Sequence, residues 1–246
     1  MKKNILLLAA LVTATISSSA NAAEVLFGSG PSPYSGDYGT GVPLTFSSAG
    51  TNAKVTAWSI GTDNKIYQAK LGVWDSGIGV TNGSGDDSHT IDNSGRKDFI
   101  VIQFDKLVEL ATGTFNTGWH GFSDTDATIG YLISGNPFST TVNLSGVNVS
   151  SLSSYNLYGS GSNGNSGNST RNINPGGNLG NTWLIGASFN NPEGAYKLDG
   201  FKLEKLTYSV GAVPEPATWM FMMLGMAGVG FTMRRKDKQT LRVRYT

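Results

Sequence analysis

The sequence predicts an all-β protein whose folded part is an antiparallel β-sandwich of the jelly-roll type. Runs rich in β-branched and aromatic residues alternate with clusters of Gly, Asn, Asp and Ser, which is the pattern of strands joined by turns. Between residues 23 and 212 no apolar pattern repeats every 3.6 residues, so no amphipathic helix is indicated there. Eight or more strands in about 190 residues suit a sandwich, and a closed barrel is the alternative.

Eight segments of the chain have strand character, because their apolar residues alternate or are largely β-branched and aromatic. Turn-forming residues separate these segments, so each is expected to be a strand of its own. The segments lie at residues 53–60, 65–71, 99–104, 107–115, 127–133, 141–149, 182–189 and 196–210.

The last of these segments contains a change of phase. Phe201 and Leu203 fall on one face of an ideal strand, whereas Leu206 and Tyr208 fall on the other. One extra residue near positions 204–205 would bring all four apolar side chains to the same face. We therefore expect a β-bulge at this point.

Residues 159–181 form a polar stretch that consists mainly of Gly, Ser and Asn. A segment with so few apolar residues cannot order itself by burial. The two strands expected after it are too few to build a second core. We therefore expect a loop inside a single domain that covers residues 23–212.

The composition excludes several classes of protein. Charged residues make up 14% of the chain, against about 25% on average, which argues against helical bundles and against the basic surface of nucleic-acid-binding proteins. The chain has no Cys, so disulfides, thiolate zinc sites, iron–sulfur clusters and cysteine nucleophiles are excluded. Residues 24–212 contain ten basic and fifteen acidic residues, a net charge of −5 that favours cations as ligands.

The first 22 residues have the layout of a secretory signal peptide. A basic start precedes an apolar run at residues 5–16, and Ala20 and Ala22 form an A-x-A cleavage site. Cleavage after Ala22 by signal peptidase would make Ala23 the first residue of the mature chain.

The C-terminal end carries a second targeting pattern. Residues 217–233 have no charge and follow a short Pro-Glu-Pro segment. At 1.5 Å per residue a helix of this length spans about 25 Å, the lower limit for crossing a membrane. Trp219 suits a membrane interface, and a basic cluster at the start of the tail 234–246 favours the cytoplasmic side. Composition and spacing alone therefore predict a C-terminal membrane anchor, whose marker residues are Pro214, Glu215, Pro216, Trp219, Arg234, Arg235 and Lys236.

This order of Pro-Glu-Pro, Trp, short apolar helix and basic stop resembles the PEP-CTERM sorting signal over residues 213–236. The resemblance implies a Gram-negative bacterial protein that is exported by the Sec machinery and anchored transiently in the inner membrane. A membrane-embedded exosortase would then process the chain near Pro214, Glu215 and Pro216. Such proteins are destined for the cell surface or the exopolysaccharide matrix. The ten residues after Lys236 extend past the usual end of these tails and would stay cytoplasmic.

A second resemblance covers residues 72–131. The segment contains Gly-Ile-Gly-Val at 77–80, an H-x-I-D-N pattern at 89–93 and a D-x-D pattern at 124–126. These elements, in this order, resemble the core of exosortase-dependent surface proteins. The resemblance implies a secreted β-domain and supplies no catalytic residue.

Turn residues in this segment form a candidate calcium site. Calcium takes six to eight oxygen ligands, which loop carboxylates, amides and carbonyls supply. The alternative is that these side chains stabilise turns through hydrogen bonds to their own backbone, and His89 is expected to bond within its turn rather than to a metal. The candidate ligands are Asp92, Asn93, Asp124 and Asp126, with Asp86 and Asp87 as further contributors.

Aromatic and acidic side chains leave the function of the core open. The aromatic residues Trp58, Trp74, Trp119 and Trp183 suit either a sugar-stacking platform or the filling of the core. Glu109, Glu193 and Glu204 suit either glycan chemistry or solvated strand faces, and no catalytic motif supports the first reading. The sequence thus favours a non-enzymatic surface or biofilm-matrix protein with no certain cofactor. The alternatives are a calcium-dependent carbohydrate-binding module of the matrix and, in third place, a glycan-processing enzyme.

Overall fold

The computed structural model divides into two compact units, Met1–Gly211 and Ala212–Thr246. In the first unit the structure describes residues 22–211 apart from 29, 31–32, 84–85, 118–120, 123, 136–137, 162–167 and 191–197. In the second unit it describes one helix at 216–234. The predicted signal peptide therefore lies outside the described residues up to position 21, which includes Ala20, and so do Pro214, Glu215, Arg235 and Lys236.

The described part of the first unit contains fourteen strands and one short 3-10 helix, so the all-β prediction is confirmed. All pairings between these strands are antiparallel. The 3-10 helix is Val149–Ser154. The strands are β1 (Ala23–Leu26), β2 (Gly36–Asp37), β3 (Leu44–Ser48), β4 (Thr51–Ile60), β5 (Ile66–Gln68), β6 (Lys70–Trp74), β7 (Gly77–Thr81), β8 (Ile91–Asp92), β9 (Lys97–Asn116), β10 (Ala127–Leu132), β11 (Tyr158–Ser160), β12 (Ser169–Asn172), β13 (Leu179–Ala187) and β14 (Gly200–Val210).

Strand β9 is 20 residues long and belongs to both halves of the sheet. Its first half, up to Phe104, lies between β4 and β13. Its second half, from Val108 onward, pairs with β14 along one edge and with β12 along the other. The hydrogen-bonded sheet is therefore continuous through β9, and one buried cluster takes side chains from both halves, which fits the predicted sandwich.

Each half of the sheet continues outward from β9. The first half runs through β13, β10 and β11 on one side and through β4 and β3 on the other, with β5 paired to the end of β4. The second half runs through β14, β7, β6 and β2. The free edge of β14 meets β8, β7 and β1 in succession, so β14 connects the N-terminal strand to the centre of the molecule.

The predicted bulge in the last strand is confirmed. The pairing of β14 with β9 shifts register between Leu203 and Lys205. Phe201, Leu203, Leu206 and Tyr208 are all buried in the same core cluster as a result. The extra residue thus corrects the phase of the apolar pattern, as the sequence requires.

The prediction of two strands at 99–104 and 107–115 is wrong, because β9 continues through the polar pair between them. Asp105 accepts hydrogen bonds from the backbone N–H of Asn52 at 3.0 Å and from its side-chain amide at 2.6 Å. Lys106 donates to the carbonyl of Gly50 at 2.6 Å. Both side chains reach the turn between β3 and β4, so they hold a neighbouring hairpin instead of forming a turn of their own.

The strand predicted at 141–149 is also wrong. This segment covers the outer face of the first half-sheet, where a second apolar cluster contains Trp58, Phe99 and Leu184. Val142 and Leu144 pack against that cluster. The apolar residues alternate in this segment because one side of the chain packs on an apolar surface. The segment is not hydrogen-bonded into the sheet as a strand.

The polar stretch 159–181 is more ordered than expected. It contains the end of β11, all of β12 and the start of β13, and only residues 162–167 lie outside the described part. Strand β12 pairs with β9 from Thr112 to Phe115. Ile173, which follows β12, is fully buried in the core. Pairing with a strand that is already fixed, together with one buried apolar residue, orders this part of a segment whose own composition is polar.

The C-terminal segment is helical, and α1 (Pro216–Arg234) covers the helix predicted at 217–233. In the part of the chain that the structure describes, no helix combines the length and the apolar character needed to cross a membrane. The prediction of a helix is therefore confirmed, whereas the prediction that this helix spans a membrane is not. Gly225, Gly228 and Gly230 lower its apolar character, because glycine adds little apolar surface.

We expect truncation of Phe115 in β9 to test the role of the shared strand. Phe115 is fully buried and packs edge-to-face on Phe201 with ring centroids 4.8 Å apart. Phe115→Ala should lower the free energy of unfolding by about 3–5 kcal/mol, measured by urea denaturation. Thr114→Ala is the matched control, because Thr114 is the neighbouring residue on the solvent-facing side, and it should cost less than about 1 kcal/mol. Equal losses in the two variants would contradict the assigned core.

Candidate metal centre

Three buried aspartates meet where β10 and β14 begin. Asp124, Asp126 and Asp199 each offer a carboxylate oxygen, and these three oxygens lie within 4.8 Å of one another. The residues are 1%, 7% and 3% exposed. We call this group the aspartate cluster.

Backbone hydrogen bonds hold the cluster in place. The N–H of Gly200 donates to the carbonyl of Asp124 at 3.0 Å, which ties the entry to β10 to the entry to β14. The N–H of Ser188, just after β13, donates to the carbonyl of Asp126 at 3.1 Å. Three strand ends therefore converge on the cluster, so its geometry depends on the sheet and not on a single loop.

Asn93 joins the cluster through Asp199. Its side-chain N–H donates to Oδ2 of Asp199 at 2.6 Å, and its Oδ1 accepts from the backbone N–H of Asp199 at 3.0 Å. Asn93, Asp124 and Asp126, which the sequence named, thus lie in one place. Asp199 was missed, because it follows Asp124 by 75 positions and only its Asp-Gly step at the start of a strand signals a special role.

Gly161 gives the cluster room. A Cβ at this position would lie 1.9 Å from Oδ1 of Asp126, and Gly161 has a φ of +135° that side chains rarely adopt. Only glycine allows the chain leaving β11 to pass this carboxylate so closely.

The guanidinium of Arg171 lies near the cluster and links it to β11 and β12. It donates to the carbonyl of Thr125 and, at 3.0 Å, to the Thr125 hydroxyl. It also donates to the Ser160 hydroxyl at 3.1 Å, and its planar group stacks 3.9 Å from the ring centroid of Phe115. Burial lowers the pKa of Arg171, while the carboxylates of Asp126 and Asp124 act in the opposite direction.

The carboxylates of the cluster repel one another electrostatically. Two carboxylates at this separation repel each other by about 3 kcal/mol at an effective dielectric constant of 20. Cations that lie close to such carboxylates offset this repulsion.

Asp92, the fourth predicted ligand, is not part of the aspartate cluster. Its Oδ2 accepts from the hydroxyls of Ser88 and Thr90, each at 2.7 Å, and its Oδ1 accepts from the backbone N–H of Ser94 at 2.9 Å. Asp86 forms a similar turn contact, since Oδ1 accepts from the Ser88 hydroxyl at 2.8 Å. These are the local bonds of the alternative turn interpretation.

A second buried carboxylate, Asp98, lies beside Asp92. Its two oxygens accept from the side-chain amide of Asn82 at 3.0 and 3.1 Å, and the residue is fully buried. Burial raises the pKa of Asp98 well above its usual value, and the negative charge of Asp92 adds to that effect. Burial also raises the pKa of Asp92, against the effect of its bonds to Ser88 and Thr90.

The other candidate residues are dispersed. Trp58 and Trp183 are fully buried, so they fill apolar clusters and offer no face to a sugar. Trp74 is partly exposed at the end of β6. Trp119 and Glu193 lie outside the described residues.

The two remaining carboxylates lie apart on the outer face of the sheet. Glu204 accepts from the side-chain amide of Asn116 at 2.8 Å. Glu109 pairs with Ser209, five residues farther along β14. That offset corresponds to about 16 Å along a strand.

Comparison with known proteins identifies the C-terminal segment. Residues 212–236 match the model of the PEP-CTERM protein-sorting motif. The chain carries a PEP-CTERM sorting motif. This motif implies export and sorting to the cell surface, and it begins two residues after β14 ends at Val210. No curated protein and no solved structure matches the chain. The resemblance of residues 72–131 to exosortase-dependent surface proteins stays a prediction.

We expect Asp98 to make the protein more stable in mild acid. Because its folded-state pKa is raised, its contribution to stability is complete below the unfolded value of about 3.8 and is lost as the pH rises through the folded value. Asp98→Asn should remove up to about 1.4 kcal/mol per pH unit of this dependence, measured by urea denaturation between pH 4 and pH 8. The exposed Asp105→Asn serves as the control. A pH dependence unchanged by Asp98→Asn would contradict the raised pKa of this buried carboxylate.

Proposed function

We propose that the chain is an exported surface protein of a Gram-negative bacterium and that exosortase removes its tail before the β-domain joins the cell surface or the exopolysaccharide matrix. The observation that carries this proposal is the PEP-CTERM motif at 212–236, directly after the last strand. The Sec machinery, signal peptidase and exosortase are the partners it requires, with transient anchoring in the inner membrane. Nucleic acid is not among its partners.

The boundaries of the β-domain support removal of both ends. Strand β1 begins at Ala23, the residue after the proposed signal-peptide cleavage site, and Ala23 pairs with Tyr208 of β14. At the other end, Gly211 donates the last backbone bond of the domain, to Leu107 at 2.9 Å. A chain trimmed to 23–211 keeps every strand pairing described above.

A structural, non-enzymatic role agrees best with the carboxylates. The separation of about 16 Å along the strand between the positions of Glu109 and Glu204 exceeds the roughly 5–9.5 Å that glycosidases use. Glu204 is also engaged by Asn116. These positions favour solvated strand faces over a catalytic pair, and we propose that the domain contributes to the matrix as a folded module.

The aspartate cluster favours a second candidate, a calcium-dependent carbohydrate-binding module of the matrix. Three buried carboxylates whose oxygens lie within 4.8 Å of one another suit a divalent ion, and calcium prefers oxygen ligands. In this proposal Asp124, Asp126 and Asp199 hold calcium, Asn93 orients Asp199, and backbone carbonyls and water complete the shell. Asp92 then acts as a turn residue. The sugar ligand remains the part of this proposal that a glycan array would identify.

Replacement of Pro214 and Glu215 by Ala should block tail removal. The variant should stay in the membrane fraction with its C-terminal peptide attached, because the processing site is lost while the helix is kept. Cell fractionation followed by mass spectrometry of the C-terminus measures this. Thr218→Ala in the helix is the control and should be processed normally. Normal delivery of the Pro214/Glu215 variant without its tail would count against exosortase processing.

Calcium should raise the melting temperature if the aspartate cluster binds it. At a hundredfold excess over Kd the stabilisation is about 2.7 kcal/mol, or roughly 5–10 °C for a domain of this size. The measurement is a thermal melt in EDTA and then in millimolar calcium. Asp126→Asn and Asp199→Asn should abolish the shift, whereas Asp92→Asn should keep it. No shift in the unmodified protein, or a shift retained in both cluster variants, would contradict this site.

A further inference from the structure

A second group of polar side chains lies on β14, β7, β6 and β2 and shares no residue with the aspartate cluster. It is built from strand ends and from the turn before β8. Its members, which we call the Lys202 site, are Asp37, Trp74, Thr81, His89 and Lys202.

Glycines make the close packing of the Lys202 site possible. A Cβ on Gly79 would lie 2.0 Å from the carbonyl oxygen of His89, so only glycine lets the turn before β8 lie on β7. A Cβ on Gly72 would lie 1.8 Å from the ring of Trp74 and 2.6 Å from Oδ1 of Asp37. Glycine at 72 therefore allows the indole to fold across its own strand. Gly79 is the second glycine of the Gly-Ile-Gly-Val pattern at 77–80. This packing explains why the pattern has a glycine at that position.

His89 is held in an uncommon conformation at this site. Its φ is +48°, in the left-handed region, where residues other than Gly are uncommon although His is among the more frequent of them. Its Nδ1 lies 2.9 Å from the hydroxyl of Thr81 and 3.3 Å from Oδ2 of Asp37, and its ring lies 4.9 Å from that of Trp74. Such backbone strain persists where surrounding contacts over-determine it, and it is concentrated at functional sites.

Lys202 is the member that the structure leaves unsatisfied. The residue is 6% exposed, and its Nζ lies 3.7 Å above the centre of the Trp74 ring. No described residue accepts a hydrogen bond from this ammonium or forms an ion pair with it, and the ring supplies a cation–π contact alone. Four other lysines of the domain differ in this respect, because described oxygens accept from Lys54, Lys97, Lys106 and Lys205.

Burial makes the neutral amine of Lys202 more abundant than that of an exposed lysine. Burial lowers the pKa of Lys202 to about 8, against the opposing effect of the Asp37 carboxylate. Among the described residues, the titratable groups on the elements around it include Asp37 on β2, Lys70 on β6, Asp92 on β8, Glu109 on β9, Glu204 and Lys205 on β14, and His89 before β8. A desolvated lysine with an appreciable neutral fraction is the form that attacks carbonyl carbon.

We propose that Lys202 is a carbonyl-binding residue that forms an imine with aldehydes. The lone pair of Nζ attacks the carbonyl carbon and a proton moves from nitrogen to oxygen, which gives a carbinolamine. Loss of that hydroxyl as water, with a proton taken from the solvent, leaves the C=N bond. Amine and aldehyde thus give imine and water, and the step needs no oxidant or reductant.

The aldehyde that fits this place is small, or is the open-chain end of a larger molecule. The side chains of His89 and Asp37 are 35% and 28% exposed, so they form the part of the site that solvent reaches. Free small aldehydes and the reducing ends of sugars share this chemistry. The inference stands on the Lys202 site and does not depend on the sorting proposal.

The test is reductive trapping on the full chain purified in detergent. Acetaldehyde with cyanoborohydride converts each imine to a stable secondary amine, and peptide mass spectrometry gives the rate at each lysine between pH 6 and pH 10. A second arm uses a reducing disaccharide, and a third uses its alditol, which has no aldehyde. Trapping by acetaldehyde alone assigns the site to small aldehydes, and trapping by both aldehydes extends it to sugar ends.

Lys202 should react at pH 8 about tenfold faster than the exposed Lys65 and Lys70. This factor combines its larger neutral fraction with the lower nucleophilicity of a weaker base. The rate should rise with a midpoint near 8, as expected for Lys202, and not near the usual 10.5. Lys202→Arg should remove the fast reaction, whereas Lys205→Arg, which alters the lysine paired with Glu24, should leave it unchanged.

Trp74→Leu provides a further check on the cause of the reactivity. Removal of the indole should let water reach the amine and move the midpoint of Lys202 towards the usual lysine value. An amine at Lys202 that stays unmodified, or reacts no faster than Lys65 and Lys70 across this pH range, would overturn the proposal.

Discussion

Strand β9 must satisfy hydrogen bonds on both of its edges along 20 residues, and the arrangement of the other strands follows from that requirement. Its first half pairs with β4 and β13 and is buried on both faces, because the 3-10 segment covers the outer side. Its second half pairs with β14 and β12 and keeps one face in water. The sequence of β9 accordingly changes from a continuous apolar run around Ile100 to an alternation around Thr112.

This constraint also explains which parts of the fold can be predicted from sequence. The bulge near 204 is predictable, because four apolar side chains must share a face and only an added residue achieves it. The segment 141–149 misleads, since burial on one side gives the same alternation whether the chain lies in a ladder or on top of one. Strand β12 is hidden, because its order comes from pairing with β9 and not from its own polar residues.

Asp92 and the aspartate cluster are stabilised in different ways. That difference determines how much of each can be predicted from the sequence. Asp92 finds its donors within four residues, so local sequence is enough to foresee its turn contacts. The aspartate cluster depends on Asp199, which reaches Asp124 only when the sheet has formed. Asp124 and Asp126 are foreseeable as a D-x-D pair, whereas their third partner follows from long-range topology. The Lys202 site, assembled from β2, β6, β7 and β14, has the same origin.

The length of β14 determines how far the aspartate cluster lies from the C-terminal end of the described domain. The aspartate cluster lies at the start of this strand, and the chain departs towards its tail at the end, eleven residues later. At 3.3 Å per residue the two points are about 35 Å apart. The N-terminal strand pairs at the departing end, where Ala23 lies opposite Tyr208. Both ends of the described β-domain therefore lie at one end of β14, and the aspartates lie at the other. The aspartate cluster is thus separated by the full length of β14 from the point where the described domain ends.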